Sequence, residues 1–311
     1  MSGYTETKDY SEQKLSELRT ELGSFVPPGE LVVTCGSFAR REAVEDSDLD
    51  FFAVTPGSAK DAPPWFASVE NAVLDLVGKL PSRGGAFSKL VSRKALLRNY
   101  GGSKDTNKSI TRRMLYLLEG EFLTNESEFL SIRNDIIESY VGNTPSDHQL
   151  AFYLLNDTIR YWRTMAVDYA QKTYHAANKK PWAIRNVKLV FSRKLIYASG
   201  LFSIALTADR RKDDKISILN TMFAMTPIDR IKYICGEVQS QRLFEIYDTF
   251  LDKMSDKETR EHLEKLKRNK KETDKIFREI KNEGHYFSRE LMGLLHRTFH
   301  ASHPIHMAII F

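Results

Sequence analysis

Residues 31–54 read LVVTCGSFARREAVEDSDLDFFAV, and this stretch decides the fold. Its mostly apolar start, 31–35, predicts a buried strand, and Gly36 with Ser37 predicts a tight turn into a helix over 38–43. Residues 47–54 predict a second strand, which Pro56 ends. A strand, a turn, a short helix and a second strand are typical of the beginning of a small α/β unit.

Outside this stretch, the pattern predicts amphipathic helices over 9–23 and 65–80 and a third strand over 85–92. After residue 108 the period becomes helical almost throughout. The predicted helices cover 109–123, 127–141, 149–177 and 182–206, then several shorter segments and a long polar helix near 255–282. The sequence therefore predicts an α+β protein with a domain over 1–110 and a mostly α-helical domain over 111–311.

The turn and the second strand carry residues suited to phosphate chemistry. Gly36 allows a ligand to approach the backbone closely, and the Ser37 hydroxyl with the amides that follow it forms an anion site. Asp48 and Asp50 are two residues apart on the predicted strand, so both side chains point to one face. Adjacent carboxylates repel each other, and a divalent cation relieves that repulsion. A triphosphate site beside a Mg²⁺ site indicates phosphoryl or nucleotidyl transfer.

The segment GSFARREAVEDSDLDFF, residues 36–52, resembles the signature of the polymerase-β-like nucleotidyltransferase superfamily. That signature combines a Gly-Ser turn, an Arg soon after it, and an Asp-x-Asp pair on the next strand. The segments 101–119, 154–169 and 184–201 are similar to bacterial nucleotidyltransferase-domain proteins with a helical C-terminal body. The resemblance covers roughly residues 30–205, and it implies a small mixed sheet followed by helices that complete a nucleotide cleft.

The resemblance also implies roles for individual residues. Gly36 and Ser37 would hold the β- and γ-phosphates of a nucleoside triphosphate such as ATP, and Arg40 would neutralise its charge. Asp48 and Asp50 would act as catalytic residues by binding two Mg²⁺ ions, for which Mn²⁺ can substitute. The structural alternative is that both acids only cap a loop after the first strand.

The superfamily usually supplies a third carboxylate from a later strand, and the predicted strand 85–92 contains no acid. Asp105, in the glycine-rich segment 101–107, is the favoured candidate for this catalytic position. Asp75 lies in an apolar helix, and Glu119 and Glu121 lie at a helix end. The alternative for Asp105 is that it caps the following helix.

Charge is distributed unevenly along the chain. Residues 1–150 have a net charge of −5, and residues 151–311 have +10. Arg112, Arg193 and Lys194 belong to a set of cations on the predicted helices after the first domain, where Tyr161, Trp162 and Trp182 also lie. The resemblance predicts that some of these residues bind the nucleotide. The structural alternative is that the cations are solvated on the surface and the aromatic residues pack in the core.

Two further patterns allow more than one interpretation. Mixed charge over 264–281 favours a solvated helix over a nucleic-acid surface. His296 and His300 have a spacing known from zinc sites, but nearby acids and cysteines are missing, so packing or surface positions are favoured.

The sequence has only two cysteines, so it excludes a disulfide framework, and no apolar run has the length of about 20 residues that a membrane span needs. Cys35 is expected in the buried strand rather than as a nucleophile. The polar N-terminus does not have the apolar core of a secretion signal, and a cytoplasmic location is expected.

These patterns favour an enzyme that transfers a nucleoside monophosphate to an acceptor hydroxyl. The basic second half favours a nucleotide, oligonucleotide or nucleic acid as acceptor, and the chain length suits a bacterial antiviral-defence signal synthase with a separate effector protein. The alternatives are an enzyme that modifies RNA or a protein, with an antitoxin partner, and a non-catalytic nucleotide-binding partner.

Overall fold

A computed structural model of the chain describes residues 3–60, 62–81, 89–142, 146–175 and 180–310. It contains one four-stranded mixed sheet. The strands are β1 (Leu31–Cys35), β2 (Asp50–Thr55), β3 (Leu90–Ser92) and β4 (Glu121–Phe122), in the order β3-β2-β1-β4. β1 is antiparallel to both β2 and β4, whereas β2 and β3 are parallel.

Helices account for most of the remaining described residues. They are α1 (Gly3–Gly23), α2 (Gly36–Arg40), α3 (Pro64–Val77), α4 (Arg93–Leu96), α5 (Asn107–Glu119), α6 (Glu126–Val141), α7 (Phe152–Ala170), α8 (Trp182–Lys188), α9 (Lys194–Ala205), α10 (Lys212–Phe223), α11 (Pro227–Cys235), α12 (Glu237–Ser255), α13 (Lys257–Lys265), α14 (Lys275–Thr298) and α15 (Pro304–Ala308). A π-helical turn, Gln171–His175, extends α7, and a second one, Leu189–Arg193, joins α8 to α9. The α+β architecture predicted from the sequence is confirmed.

The two faces of the sheet are covered by different parts of the chain. Val32 and Phe51 pack with α1 and α3 in a smaller core. Leu31, Val33 and Cys35 point the other way and belong to a large core that continues through the helices as far as α15. The sheet is therefore buried on both sides, which explains why all five residues of β1 are buried.

The first helix also contacts the helical region directly. α1 packs against α12, and the backbone amide of Tyr4 donates a hydrogen bond of 2.8 Å to Oδ1 of Asp248. The buried Arg230 of α11 donates to the carbonyl oxygen of Leu118 in α5 at 2.7 Å. The predicted division at residue 110 falls inside α5, and β4 beyond it completes the sheet.

Several predicted elements have different bounds in the structure. Helix α2 spans Gly36–Arg40 rather than 38–43, so Gly36 and Ser37 are its first two residues. β2 begins at Asp50, not at residue 47, because β1 ends opposite Asp50 and gives the preceding residues no strand to pair with. The predicted helix 109–123 ends at Glu119, where the chain enters β4. Of the predicted strand 85–92, residues 90–92 form β3, and residues 85–88 lie outside the described part of the chain.

The predicted long polar helix near 255–282 is wrong. Asp256 and Asp274 cap the starts of α13 and α14, where their side chains accept hydrogen bonds of 2.8 Å from the amides of Thr259 and Phe277. Such caps favour a new helix start over continuation of the previous helix. None of the described helices is both long and apolar enough to span a bilayer.

Candidate active site

The Gly36–Ser37 turn lies directly beside the start of β2. Cys35 pairs with Asp50 in the antiparallel register, so the residues that follow Cys35 meet the acidic end of the neighbouring strand. Gly36 has a φ of +74°, and a Cβ atom placed on it would lie 2.9 Å from Oδ2 of Asp50. The turn therefore requires glycine both for its backbone conformation and for the space beside the carboxylate.

Ser37 follows in the first turn of α2 and is partly exposed. Its carbonyl oxygen accepts a hydrogen bond of 2.8 Å from the amide of Glu42. Its hydroxyl has no hydrogen-bond partner among the described residues, so it is free to bind a ligand.

The two acids of the Asp-x-Asp pair lie close enough to interact. Asp48 precedes β2 in extended chain, with Leu49 fully buried and the two acids on either side of it partly exposed. Burial, together with the charges of Asp48 and Glu119, raises the pKa of Asp50 to about 7, against the opposing effect of Arg40 and Arg193. Such a carboxylate pair offers oxygen donors and two mutually repelling acidic groups, which fits Mg²⁺.

Arg40 is tied to two acids on its own side of the site. Its guanidinium donates to Glu42 at 2.9 Å and forms a short ion pair with Glu119. Burial lowers the pKa of Arg40, but the charges of Glu42 and Glu119 outweigh that effect and raise it. In this state, the Arg40 side chain, which is 11% exposed, neutralises acids of the protein itself.

This ion-paired group extends into the helical region. The hydroxyl of Tyr247, on α12, donates a short hydrogen bond to Glu42, and it lies 3.2 Å from Oγ of Ser192. On the other side, the hydroxyl of the buried Tyr161 donates to Glu119 at 3.3 Å. Glu42 and Glu119 are therefore each held by one arginine and one tyrosine.

Cations of the helical region face the acids. Lys188 is exposed, and the protein atoms packed beside it lower its pKa by desolvation, while the charge of Asp48 raises it and those of Arg40 and Arg193 lower it. Burial, and to a smaller extent the charge of Arg193, also lowers the pKa of Arg185, whereas the charges of Asp48 and Asp50 raise it. The charges of Arg185, Lys188 and Arg193 thus interact with the Asp48–Asp50 pair.

The structure separates Arg193 from its neighbour Lys194. Successive helical residues point about 100° apart, so two adjacent cations reach different surroundings. The ammonium of Lys194 donates to Oγ of Ser288 on α14 at 2.6 Å. Arg112 is half-buried, its Nε has no hydrogen-bond partner among the described residues, and burial lowers its pKa with no contribution from an acid. Only Arg193 of these three cations is brought to the acids.

Asp105 is engaged elsewhere. Both of its oxygens accept from Nη2 of Arg113, at 3.0 and 2.9 Å, and its side chain has no exposed surface. Thr106, and not Asp105, caps α5. In this structure Asp105 is the buried partner of Arg113 rather than an open ligand.

Glu119 is the acid that the structure brings to the pair instead. It ends α5 just before β4, which lies next to β1, and its charge contributes to the raised pKa of Asp50. The sequence placed Glu119 at a helix end, and the missing signal was the two-residue strand that follows. Among the described residues, no three His, Cys, Asp or Glu side chains converge as a metal site built from protein ligands alone would require.

The aromatic candidates are used in packing. Trp162 stacks on Tyr197, with ring centroids 5.5 Å apart. The indole of Trp182 donates to the carbonyl oxygen of Leu266 at 2.7 Å and packs on Phe277. At the C-terminus, His296 stacks on His306 at 5.1 Å, as the packing interpretation predicted.

Cys35 is completely buried, as predicted, and burial raises the pKa of its thiol.

The comparisons with known proteins agree with the architecture. Residues 15–137 match the family model of the nucleotidyltransferase domain. No curated protein sequence matches the chain closely. The matched segment contains the whole sheet, the Gly36–Ser37 turn and the Asp48–Asp50 pair. Residues 15–137 are therefore a polymerase-β-like nucleotidyltransferase domain, and a helical region follows it.

Proposed function

We propose that the protein is a metal-dependent nucleotidyltransferase that moves a nucleoside monophosphate from a nucleoside triphosphate, such as ATP, to an acceptor hydroxyl. One observation carries the proposal: the pairing of Cys35 with Asp50 sets the Gly36–Ser37 turn against two half-buried acids, opposite the cations Lys188 and Arg193. In the reaction, the acceptor oxygen bonds to the α-phosphorus, the hydroxyl proton leaves, and pyrophosphate departs.

Asp48 and Asp50 would hold two Mg²⁺ ions, with Mn²⁺ as a substitute, and Ser37 would donate to the β- and γ-phosphates. When bound, such ions lower the pKa of an attacking hydroxyl and neutralise phosphate charge. Lys188 and Arg193 would face the triphosphate, since they lie free of carboxylate hydrogen bonds among the described residues.

Glu119 replaces Asp105 as the proposed third acid. Its charge interacts with that of Asp50, and Arg40 and Tyr161 bind its two oxygens. The same pairing changes the proposed role of Arg40. Because it already binds Glu42 and Glu119, we assign it to holding Glu119 in place rather than to gripping the triphosphate.

The proposed acceptor is a nucleotide or oligonucleotide, supported by the charge of +10 over residues 151–311. A cytoplasmic synthase of an antiviral-defence signal, acting with a separate effector protein, suits this acceptor, and two free, buried cysteines suit that compartment. The alternatives are modification of RNA or a protein with an antitoxin partner, and nucleotide binding without catalysis.

The test incubates the purified protein with Mg²⁺ and each α-labelled nucleoside triphosphate, alone and with mono- and oligonucleotide acceptors. We expect labelled product and pyrophosphate, both lost in Asp50→Asn. Glu45→Gln is the matched control, since Glu45 is exposed in the same loop. Nucleotide binding with no product from any acceptor would favour the non-catalytic alternative.

A further inference from the structure

Residues 265–271, KLKRNKK, form a strongly basic connection between α13 and α14, here named the basic turn. It contains five cations and no acid. The cations lie in a bend with a short 3₁₀ turn, Arg268–Lys270, so they are not interleaved with acids along a helix face. Mixed charge at helical spacing was the reason to expect a solvated helix over 264–281, and the basic turn does not have that pattern.

The three central cations of the basic turn have no ion-pair partner in the described part of the chain: Lys267, Arg268 and Lys270. The outer two do, since Lys265 pairs with Glu261 at 2.8 Å and Lys271 with Glu272 at 3.3 Å. The nearby Asp274 is occupied by His262 at 2.7 Å and by its capping role. Positive charge is thus left uncompensated at the centre of the turn.

The basic turn also presents an aromatic surface. The guanidinium of Arg268 lies 3.5 Å from the ring centroid of Tyr174 and 5.7 Å from that of Trp182. Nη2 of Arg268 is buried and has no hydrogen-bond partner among the described residues. Tyr174 is 42% exposed, so a second planar group can reach it. Other residues of the basic turn line an open pocket of about 410 Å³, together with His262, Thr273 and Asp274: Lys265, Leu266, Lys267 and Lys270.

Helix α8 connects the basic turn to the candidate active site. Trp182, at its first residue, donates to the carbonyl oxygen of Leu266 in the turn at 2.7 Å. Lys188, its last residue, is close enough to Asp48 for their charges to interact. Six residues of α-helix rise about 9 Å, so the turn lies within a short distance of the Asp48–Asp50 pair. Arg185, between the two ends, continues the line of positive charge.

We infer that the basic turn binds the acceptor as a single-stranded oligonucleotide. Lys267 and Lys270 hold successive phosphates, Arg268 and Tyr174 stack a base, and the strand's hydroxyl end lies at the Asp48–Asp50 pair. Only the position of the strand's hydroxyl end at the candidate active site rests on the proposed function. Cations combined with an exposed aromatic surface suit a single strand, whereas an acidic peptide would use the charges and leave the stacking surface empty.

The test is a fluorescence-anisotropy titration of labelled RNA and DNA 12-mers of one sequence, without Mg²⁺ or nucleotide, over a range of salt. We expect Lys267→Glu with Lys270→Glu to weaken binding about tenfold or more at 0.1 M salt. The salt slope should fall by about 1.4, because each single-strand phosphate contact contributes about 0.7. A difference between the RNA and DNA titrations tells which strand the turn prefers.

Matched controls distinguish a site from general charge. Arg210→Glu with Arg211→Glu makes the same change of charge at two exposed, adjacent cations, and it should leave binding within about twofold. Tyr174→Ala should weaken oligonucleotide binding about fivefold or more, and Tyr233→Ala, at another exposed tyrosine, should not. Equal losses in the two charge-reversal variants, or none in either, would overturn the proposal. Polyglutamate of equal charge that binds as tightly as the oligonucleotide would assign the turn to an acidic protein instead.

The anisotropy titration measures oligonucleotide binding without catalysis, so its result remains valid if no nucleotidyl transfer is found. Where transfer occurs, the double lysine variant should raise the KM for an oligonucleotide acceptor and leave the KM for the nucleoside triphosphate unchanged. An unchanged oligonucleotide KM would contradict the inference while leaving the proposed function intact.

Discussion

At the scale of single residues, the candidate site depends on a contact between a glycine and an acid. Gly36 has no side chain, so the backbone of the turn can lie against the carboxylate of Asp50. This contact makes the position of the phosphate-facing turn and that of the acid pair depend on each other.

Gly36→Ala is expected to reduce transfer by about 100-fold, because a displacement near 1 Å at a reacting centre has that effect. It should also lower the free energy of unfolding by about 1–2 kcal/mol through backbone strain. Gly29→Ala is the matched control, since Gly29 has a φ of +87° with nothing within 4 Å of its Cβ position. Equal losses of activity in both variants, measured with stability by denaturant titration, would contradict the role of the Asp50 contact.

Asp50 should make the metal-free protein less stable as pH rises. Its pKa of about 7 exceeds its ordinary value of 3.8, so the folded protein retains a proton that the unfolded chain has lost. The free energy of unfolding therefore falls between about pH 4 and pH 7. Asp50→Asn removes this loss and should be about 2–4 kcal/mol more stable than the wild type at pH 8, with little difference at pH 4. Urea titrations with a chelator at both pH values test this, and a variant equally stable at both would contradict it.

At the scale of elements, the helical run from α8 to α9 divides its cations between two environments. Lys188 and Arg193 face the acids, whereas Lys194 binds Ser288. The π-helical turn Leu189–Arg193 lies between Lys188 and Lys194, and such turns often occur at functional sites.

Lys188→Ala and Arg193→Ala should each weaken binding of Mg²⁺ with a non-hydrolysable ATP analogue by about 1.5–3 kcal/mol, as expected for a lost charge-assisted hydrogen bond. Lys194→Ala is the control and should bind nearly as the wild type does. Isothermal titration calorimetry measures all three. A loss in Lys194→Ala as large as in the other two would show that the division of cations is not used in binding.

The sequence predicted the elements that have local signals. β1, β2 and α3 follow from apolar runs and turn residues, and the Gly-Ser and Asp-x-Asp motifs follow from their spacing. The pairing of Arg40 with Glu119, 79 residues away, depends on how α5 packs beside α2, which no local pattern encodes. The pairing of Asp105 with Arg113 was hidden for the same reason, because it becomes visible only when both residues are buried together. The long polar helix failed because two aspartates act as caps.

At the scale of the whole molecule, the sheet and the helical region share one core. Residues of β1 and residues as distant as Ile305 belong to the same buried cluster. Arg230 and Tyr247 add polar links from α11 and α12 to the nucleotidyltransferase domain. The domain therefore has one face that only the helices cover.

We expect the full chain to unfold in a single thermal transition, because neither part buries its shared face alone. A fragment of residues 1–142 should show no cooperative transition and should lose near-UV circular dichroism. Calorimetry of the full chain and spectroscopy of the fragment check this. Two separated transitions, or a fragment that melts cooperatively, would show that the nucleotidyltransferase domain folds independently.

The packing of α1 against α12 has a consequence for synthesis on the ribosome. Tyr4 and Asp248, which are hydrogen-bonded in the finished protein, are 244 residues apart. At about 5–20 residues per second, the first helix waits roughly 10–50 s before its partner has been translated. During that interval the nascent chain exposes the apolar face of β1 that the later helices cover. Helix α1 thus reaches its contact with α12 late, and newly made chains are a natural client for chaperones that shield apolar surface.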